Sequence, residues 1–271
     1  MNCFTVTLPC TNAEMEVMLR AKDYEFVEHH ARPCVLVIPG GAYSFVSPRE
    51  GEPIAIGFLQ KGYQACVLQY SVRAQPDAPF LGTLPLRQAA EAVRYIREHA
   101  EDWGIDPNKI SVCGFSAGGH LAGSLGVFAR NAAYLPENSD DLSTPNAMIL
   151  CYPVITAHEK AHRESIYNLS GTREICAESL RWSLEDHVTK DTCPAFLWQT
   201  GEDDCVPVEN SMLMARALRQ ENVPFELHIY SHGPHGMSLA SRETGNDHPH
   251  VGTWLPLALQ WLDERGVGTG Y

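Results

Sequence analysis

Gly114-Phe115-Ser116-Ala117-Gly118 is the stretch on which the reading of this chain turns. A short apolar run, Lys109 to Cys113, leads into it, and small residues with a helical pattern follow from Ala117 to Arg130. Gly-x-Ser-x-Gly is the pattern of a strand that turns sharply into a helix and holds the central serine in strained backbone, its hydroxyl exposed above a sheet. Both glycines are requirements of the backbone, because in so tight a turn a Cβ on either flank collides with the neighbouring strand or helix. A chain of this length carries such a pentapeptide by chance about one time in ten. Its weight therefore depends on whether the rest of the sequence supplies partners for the serine.

Upstream of it, Pro33 introduces Cys34 to Ile38, a continuous β-branched and apolar run that reads as a strand buried on both faces and ends in Pro39-Gly40-Gly41-Ala42-Tyr43. Two short strands precede it, Cys3 to Leu8 and Glu14 to Leu19, the second alternating as an edge hairpin does. Glu52 to Lys61 has helical periodicity with a stop at Gly62, Tyr63 to Val72 reads as another buried strand, and a Pro-rich loop, Gln75 to Pro85, leads to an amphipathic helix from Leu86 to Trp103. Downstream, Asn131 to Pro145 is a polar loop, and Ala147 to Thr156 reads as a strand. Ala157 to Asp191 is a weakly periodic insertion on top of the sheet. Then come a strand from Ala195 to Thr200, a helix from Pro207 to Gln220, a strand from Phe225 to Tyr230 and a helix from Val251 to Glu264. Strands alternating with helices at this spacing indicate an α/β fold with a mostly parallel central sheet flanked by helices on both faces.

The chain has 271 residues, enough for one large α/β domain, and residues 1–271 are expected to form a single one. A net charge of −13, relieved by no basic run, argues against nucleic acid and anionic membrane surfaces as partners. Nine cysteines, an odd number, with Cys34, Cys66, Cys113 and Cys151 inside apolar runs, point to a reducing compartment. The start, Met1 to Val6, lacks the features of a signal peptide, and no apolar run reaches the length of a spanning helix, so a soluble, cytoplasmic protein is expected.

In a sheet of this type functional groups gather at the carboxyl ends of the strands. Four such ends carry chemistry here: Gly40-Gly41-Ala42, whose amides can approach a developing oxyanion; Ser116; Gly201 to Pro207, with Asp203 and Asp204; and Ser231 to Gly236, with His232 and His235. The chain order is oxyanion loop, Ser, acid, His. From about Pro33 to Leu262 the sequence resembles the α/β-hydrolase esterases, in particular the acetyl-esterase and acetylxylan-esterase-like group related to hormone-sensitive lipase and to BD-FAE proteins. The resemblance is carried by Pro39-Gly40-Gly41-Ala42-Tyr43 and by Gly104-Ile105-Asp106-Pro107 through the serine motif to Gly119-His120-Leu121. Tyr152-Pro153-Val154-Ile155-Thr156, Asp203 to Val208 and Gly233-Pro234-His235-Gly236 complete it. It departs at Pro39, where hormone-sensitive-lipase relatives usually have His. Since the donors are backbone amides, this alters loop packing more than chemistry.

The residue types give Ser116 as nucleophile and His235 as base. The resemblance favours Asp203 over Asp204 as the acid, because in the family two residues separate the acid from the Val-Pro that opens the next helix, here Val206-Pro207. Asp204 then reads as a solvated loop residue, and His232 lacks the following glycine. The amides of Gly41, Ala42 and Ala117 are the expected oxyanion hole, and no cofactor or metal is implied. What the resemblance implies is a serine carboxylester hydrolase for short acyl groups, acetyl in particular, acting on a small ester or an acetylated xylo-oligosaccharide. Alternatives are an amide or peptide hydrolase on the same fold, such as an arylformamidase or prolyl-peptidase-like enzyme, and a non-catalytic binding module.

A rival signal is His158-Glu159-Lys160-Ala161-His162, which matches His-Glu-x-x-His. On a helix, that pattern sets two histidines one turn apart to bind zinc, with the glutamate as base. It lies in the insertion and lacks a strong amphipathic pattern or an evident third ligand, so loop or lid residues are expected. His120 is expected to pack within the top layer, and His29, His30, His248 and His250 to be exposed. Trp182, Trp198 and Trp254 are candidates for core or pocket wall.

Overall fold

The computed structural model describes residues 1–21, 31–137 and 141–270. Strands β1 (Asn2–Thr7), β2 (Glu14–Leu19), β3 (Arg32–Ile38), β4 (Gln64–Gln69), β5 (Ile105–Phe115), β6 (Ala147–Cys151), β7 (Ala195–Thr200) and β8 (Phe225–Tyr230) form one eight-stranded sheet in the order β1-β2-β4-β3-β5-β6-β7-β8. The β1/β2 and β2/β4 pairs are antiparallel and the remaining neighbours parallel. Antiparallel pairing at one edge follows from the alternating pattern of β2. The apolar runs within β3, β5, β6 and β7 suit strands covered on both faces.

The covering is divided by the period of the strands. On β3, Cys34, Leu36 and Ile38 face a cluster with Ala89, Val93 and Ile96 of helix α2 (Leu84–Glu98). Leu121 and Leu125 of α4 (Ala117–Phe128), which follows the one-turn α3 (Ala100–Trp103), belong to the same cluster. Val35 and Val37 face the opposite side, where α1 (Glu52–Gln60) brings Ile54 and Phe58, and the last helix brings Trp254, Ala258 and Trp261. The chain between β6 and β7 carries two short helices, α5 (Arg163–Ser170) and α6 (Ala177–Leu180). Helix α7 (Glu209–Gln220) joins β7 to β8, and α8 (Trp254–Glu264) ends the fold. Among the described residues no helix is long and apolar enough to cross a membrane.

Several boundaries differ from the sequence reading. The amphipathic helix starts earlier, at Leu84, and is broken at His99, which leaves helical geometry (φ −100°, ψ 11°) while its ring stacks on Tyr95. The strand expected from Ala147 to Thr156 stops at Cys151, because Tyr152 adopts φ 37° and turns the chain out of the sheet. The strand expected from Tyr63 to Val72 is shorter, Gln64–Gln69. The loop from Asn131 to Pro145 falls partly outside the described residues.

Parallel registry brings the strand ends level: Ile38 lies opposite Gly114, Phe115 opposite Cys151, Cys151 opposite Trp198, and Thr200 opposite Tyr230. The loops that follow β3, β5, β6, β7 and β8 therefore share one edge of the sheet.

Candidate active site

Ser116 sits between β5 and α4 with φ 53° and ψ −118°, a conformation that a side chain-bearing residue rarely adopts. Its N–H donates to the Cys151 carbonyl (3.0 Å), and its carbonyl accepts from His120 N (3.0 Å) and Val154 N (3.1 Å), so three segments hold the turn. The flanking glycines are steric necessities. A Cβ on Gly114 would collide with the Gly118 carbonyl, and one on Gly118 with the carbonyls of Ile38 and Pro39.

His235 Nε2 lies 2.9 Å from Ser116 Oγ, and His235 Nδ1 lies 2.7 Å from Asp203 Oδ2. Asp203 has a fully buried side chain, and its other oxygen accepts the N–H groups of Val206 (2.8 Å) and Cys205 (3.0 Å). Gln199 Nε2 adds a bond to Oδ2 (3.3 Å) and is itself fixed by the Val206 carbonyl, while its Oε1 accepts from Ser211 Oγ. A carboxylate so surrounded by donors accepts at Nδ1. The proton of neutral His235 is thus on Nδ1, and Nε2 is left as the acceptor for the serine hydroxyl. The ring packs edge-on against Tyr152, 5.0 Å between centroids. Such a line can deprotonate a hydroxyl and later return the proton to a leaving group.

The loop after β3 carries positive φ at Gly41 (125°), Ala42 (56°) and Tyr43 (60°). The Gly40 carbonyl accepts from Ser47 N (3.0 Å), and that of Gly41 from Ser44 N (2.8 Å) and Phe45 N (3.1 Å). Because C=O and N–H of one peptide point opposite ways, these bonds turn the N–H groups of Gly41 and Ala42 away from the loop's interior. The N–H of Ala117, the first residue of α4, has no carbonyl one turn back to bond.

The other residues singled out by sequence separate cleanly. Asp204 is exposed, and His232 is an exposed surface group paired with Glu202 (2.8 Å). His250 is exposed, whereas His248 is half-buried; His29 and His30 lie outside the described residues. His120 is fully buried, and its Nδ1 and Nε2 meet the Tyr43 hydroxyl and the Trp182 carbonyl, each at 2.9 Å. Burial pushes its pKa down to about 4. Trp198 and Trp254 stack on each other in the core behind the site, and Trp182 is buried beside His120.

The segment from His158 to His162 is not a helix. Its carbonyls at Ala157 and His158 accept from the Arg163 guanidinium, and His158 N donates to Thr156 Oγ1, so the chain turns instead. His158 pairs with Asp186 (2.7 Å), next to Glu185. His162 takes the N-cap of α5, with Nδ1 on Ser165 Oγ (2.8 Å). Burial and then the neighbouring charge of His235 push its pKa down, while Glu164 and Asp203 act in the opposite sense. The two histidines thus face different partners.

Two residues with no sequence signal support the site. Glu50, buried, accepts Gly40 N (2.8 Å) on one oxygen and the Tyr152 hydroxyl (2.7 Å) on the other. That hydroxyl accepts Ser238 N (2.9 Å), which links the loop after β3 to the loop bearing His235. Asn168 of α5 donates from Nδ2 to the Ala42 carbonyl (2.9 Å). A glutamate before a helix and an asparagine within one are too common to have marked these positions.

A family model described as BD-FAE matches residues 24–218. The chain is 42% identical over 213 residues to endo-1,4-beta-xylanase B of Butyrivibrio fibrisolvens, which covers 78% of this chain and 33% of that protein. It is 28% identical to an acetylxylan esterase of Xylanibacter ruminicola over 88% of this chain and 45% of the relative. The chain thus spans less than half the length of either curated relative. Among solved structures, the acetyl ester-xyloside bifunctional hydrolase of Caldicellulosiruptor lactoaceticus superposes with a TM-score of 0.80 at 34% identity, covering 96% of this chain and 90% of that one. The carboxylesterase Cest-2923 of Lactobacillus plantarum superposes with a TM-score of 0.86 at 27% identity over the full length of both.

Proposed function

Because the chain belongs to the BD-FAE family of α/β-hydrolase esterases, we propose that it is a serine carboxylester hydrolase that removes short acyl groups, acetyl in particular, from xylo-oligosaccharides or related sugars. The observation that carries this reading is the unbroken line from Ser116 Oγ through His235 to the buried Asp203 carboxylate. The acetyl and sugar parts are supported by the names of three relatives, two of which refer to acetyl esters and all three to xylan or xyloside.

Ser116 Oγ attacks the ester carbonyl carbon as its proton passes to His235 Nε2, and Asp203 stabilises the imidazolium. The amides of Ala117, Gly41 and Ala42 hold the oxyanion, each donor worth roughly 3 to 4 kcal/mol in comparable sites. Collapse of the intermediate breaks the ester C–O bond. His235 protonates the departing sugar oxygen, and Ser116 is left acylated. A water, deprotonated by His235, then releases acetate and restores the serine. Residues 1–271 act as a single unit in this reading, with 157–191 forming a wall over the site. Nine unpaired cysteines support a reducing, cytoplasmic setting.

The test is acetate release from acetylated xylo-oligosaccharides, beside a chain-length series of p-nitrophenyl esters, with the wild type and Ser116→Ala. Release that is lost in the variant and falls with acyl length is expected. Turnover that survives Ser116→Ala would remove the serine mechanism, and ester turnover without sugar deacetylation would remove the substrate class.

A further inference from the structure

The loop after β3 is built from backbone that does not hold itself. At non-glycine residues, left-handed angles such as those of Ala42 and Tyr43 cost of order 1–3 kcal/mol each and persist only where the surroundings over-determine them. Several restraints come from the loop's own neighbourhood: Ser47 on the Gly40 carbonyl, Ser44 and Phe45 on that of Gly41, and Arg73 N on that of Tyr43 (2.7 Å). The Ala42 carbonyl is held differently. It accepts from Asn168 Nδ2, which lies 126 residues along the chain in α5, within the segment between β6 and β7.

Asn168 is 1% exposed and its amide is fixed at both ends. Nδ2 also donates to Ser44 Oγ (3.0 Å), and Oδ1 accepts from Arg73 Nη1 (3.4 Å). Its own carbonyl accepts from Leu81 N (3.0 Å). The side chain therefore presents its NH₂ to the loop and its oxygen to the guanidinium. The peptide joining Gly41 to Ala42 is oriented through the Gly41 carbonyl, and the next one through Asn168. With both planes fixed, φ and ψ at Ala42 are fixed, and the Gly41–Ala42 peptide, which carries the Ala42 N–H and is anchored through the Gly41 carbonyl, is braced from its far side by Asn168.

We propose that Asn168 is a positioning residue of the oxyanion hole: from outside the loop it braces the strained Ala42 backbone, and through it the adjoining peptide that presents the Ala42 N–H. The 157–191 segment is then part of the catalytic geometry as well as a wall. This inference rests on the carboxylester reading above.

Asn168→Asp keeps the shape and the Arg73 contact but turns an acceptor oxygen toward the Ala42 carbonyl; Asn168→Ala removes the contact. Both are compared with the wild type on p-nitrophenyl acetate. The binding constant of a trifluoromethyl ketone, whose serine hemiketal carries an oxyanion, is measured alongside. The endpoint of labelling by a fluorophosphonate counts folded sites, and all rates are expressed per labelled site. Removal of a whole oxyanion donor costs about 10²–10³ in kcat, and misdirection of one is expected to lower kcat by about 10–100-fold with KM within about 3-fold. Ketone affinity should fall in parallel. Unchanged kcat per labelled site in both variants, or a fall in kcat with full ketone affinity, overturns the proposal. Should Asn168→Asp fail to label, Asn168→Ala decides the matter by the same criteria. Wild-type turnover that is indifferent to Ser116→Ala would instead sink the carboxylester reading, and the same assay distinguishes that outcome.

Discussion

His120 sits where neutral imidazole is satisfied and imidazolium is not, which makes acid sensitivity a measurable consequence of the site's architecture. Its Nε2 faces the Trp182 carbonyl and must carry the proton, so Nδ1 accepts from the Tyr43 hydroxyl. Protonating Nδ1 would reverse that bond and strand the hydroxyl hydrogen in a fully buried setting. Burial accordingly lowers the pKa to about 4, against 6.5 for the ordinary group. The sign follows from linkage. Above the unfolded value both states are neutral and the stability is complete; as pH falls below it the unfolded chain takes up the proton first, and stability is lost until the folded value is reached. At pH 5 the loss from this one group is about 2 kcal/mol relative to pH 7. Urea unfolding of the wild type and His120→Gln at the two pH values measures it. Gln still donates to the Trp182 carbonyl but does not titrate. At pH 7 the variant is expected to be less stable by roughly 1 kcal/mol for the lost Tyr43 bond, and at pH 5 the difference should shift by about 2 kcal/mol in its favour. Parallel pH dependence in the two proteins would refute the buried neutral imidazole.

Asp203→Asn offers an NH₂ to His235 Nδ1 and favours the tautomer whose Nε2 cannot accept the serine proton; kcat on p-nitrophenyl acetate is expected to fall about 10³–10⁴-fold, and a loss under about tenfold would place the orienting acid elsewhere. Glu50→Gln leaves one of its two buried donors, Gly40 N or the Tyr152 hydroxyl, facing an NH₂. Unfolding in urea should show a loss of roughly 1–3 kcal/mol, and an unchanged midpoint would mean that one carboxylate oxygen suffices.

The parts of the site that the sequence made legible share a physical reason. A strained serine turn needs glycine at fixed offsets, a loop that exposes amides needs small residues, and a parallel sheet delivers the following loops to one edge in chain order; Gly41 and Ser116 were thus marked by local backbone demands and His235 by chain order, while the choice of Asp203 over Asp204 came from the family resemblance. Gly118 shows how local such a demand is: its missing Cβ is what lets the β3 carbonyls approach the elbow. Positions whose role depends on a partner far along the chain carry no such mark. Asn168 meets Ala42 across 126 residues and Glu50 meets Tyr152 across 102, and each residue is unremarkable within its own segment. The His158–His162 pattern fails for the converse reason. Its spacing has metal-binding meaning only on a helix, and Arg163 captures the carbonyls that helical N–H groups would need. The chemistry of the site was thus written in short motifs, whereas its rigidity is held by contacts between them. A variant that leaves every motif residue intact is therefore expected to disturb the loop after β3 when it releases the Ala42 carbonyl.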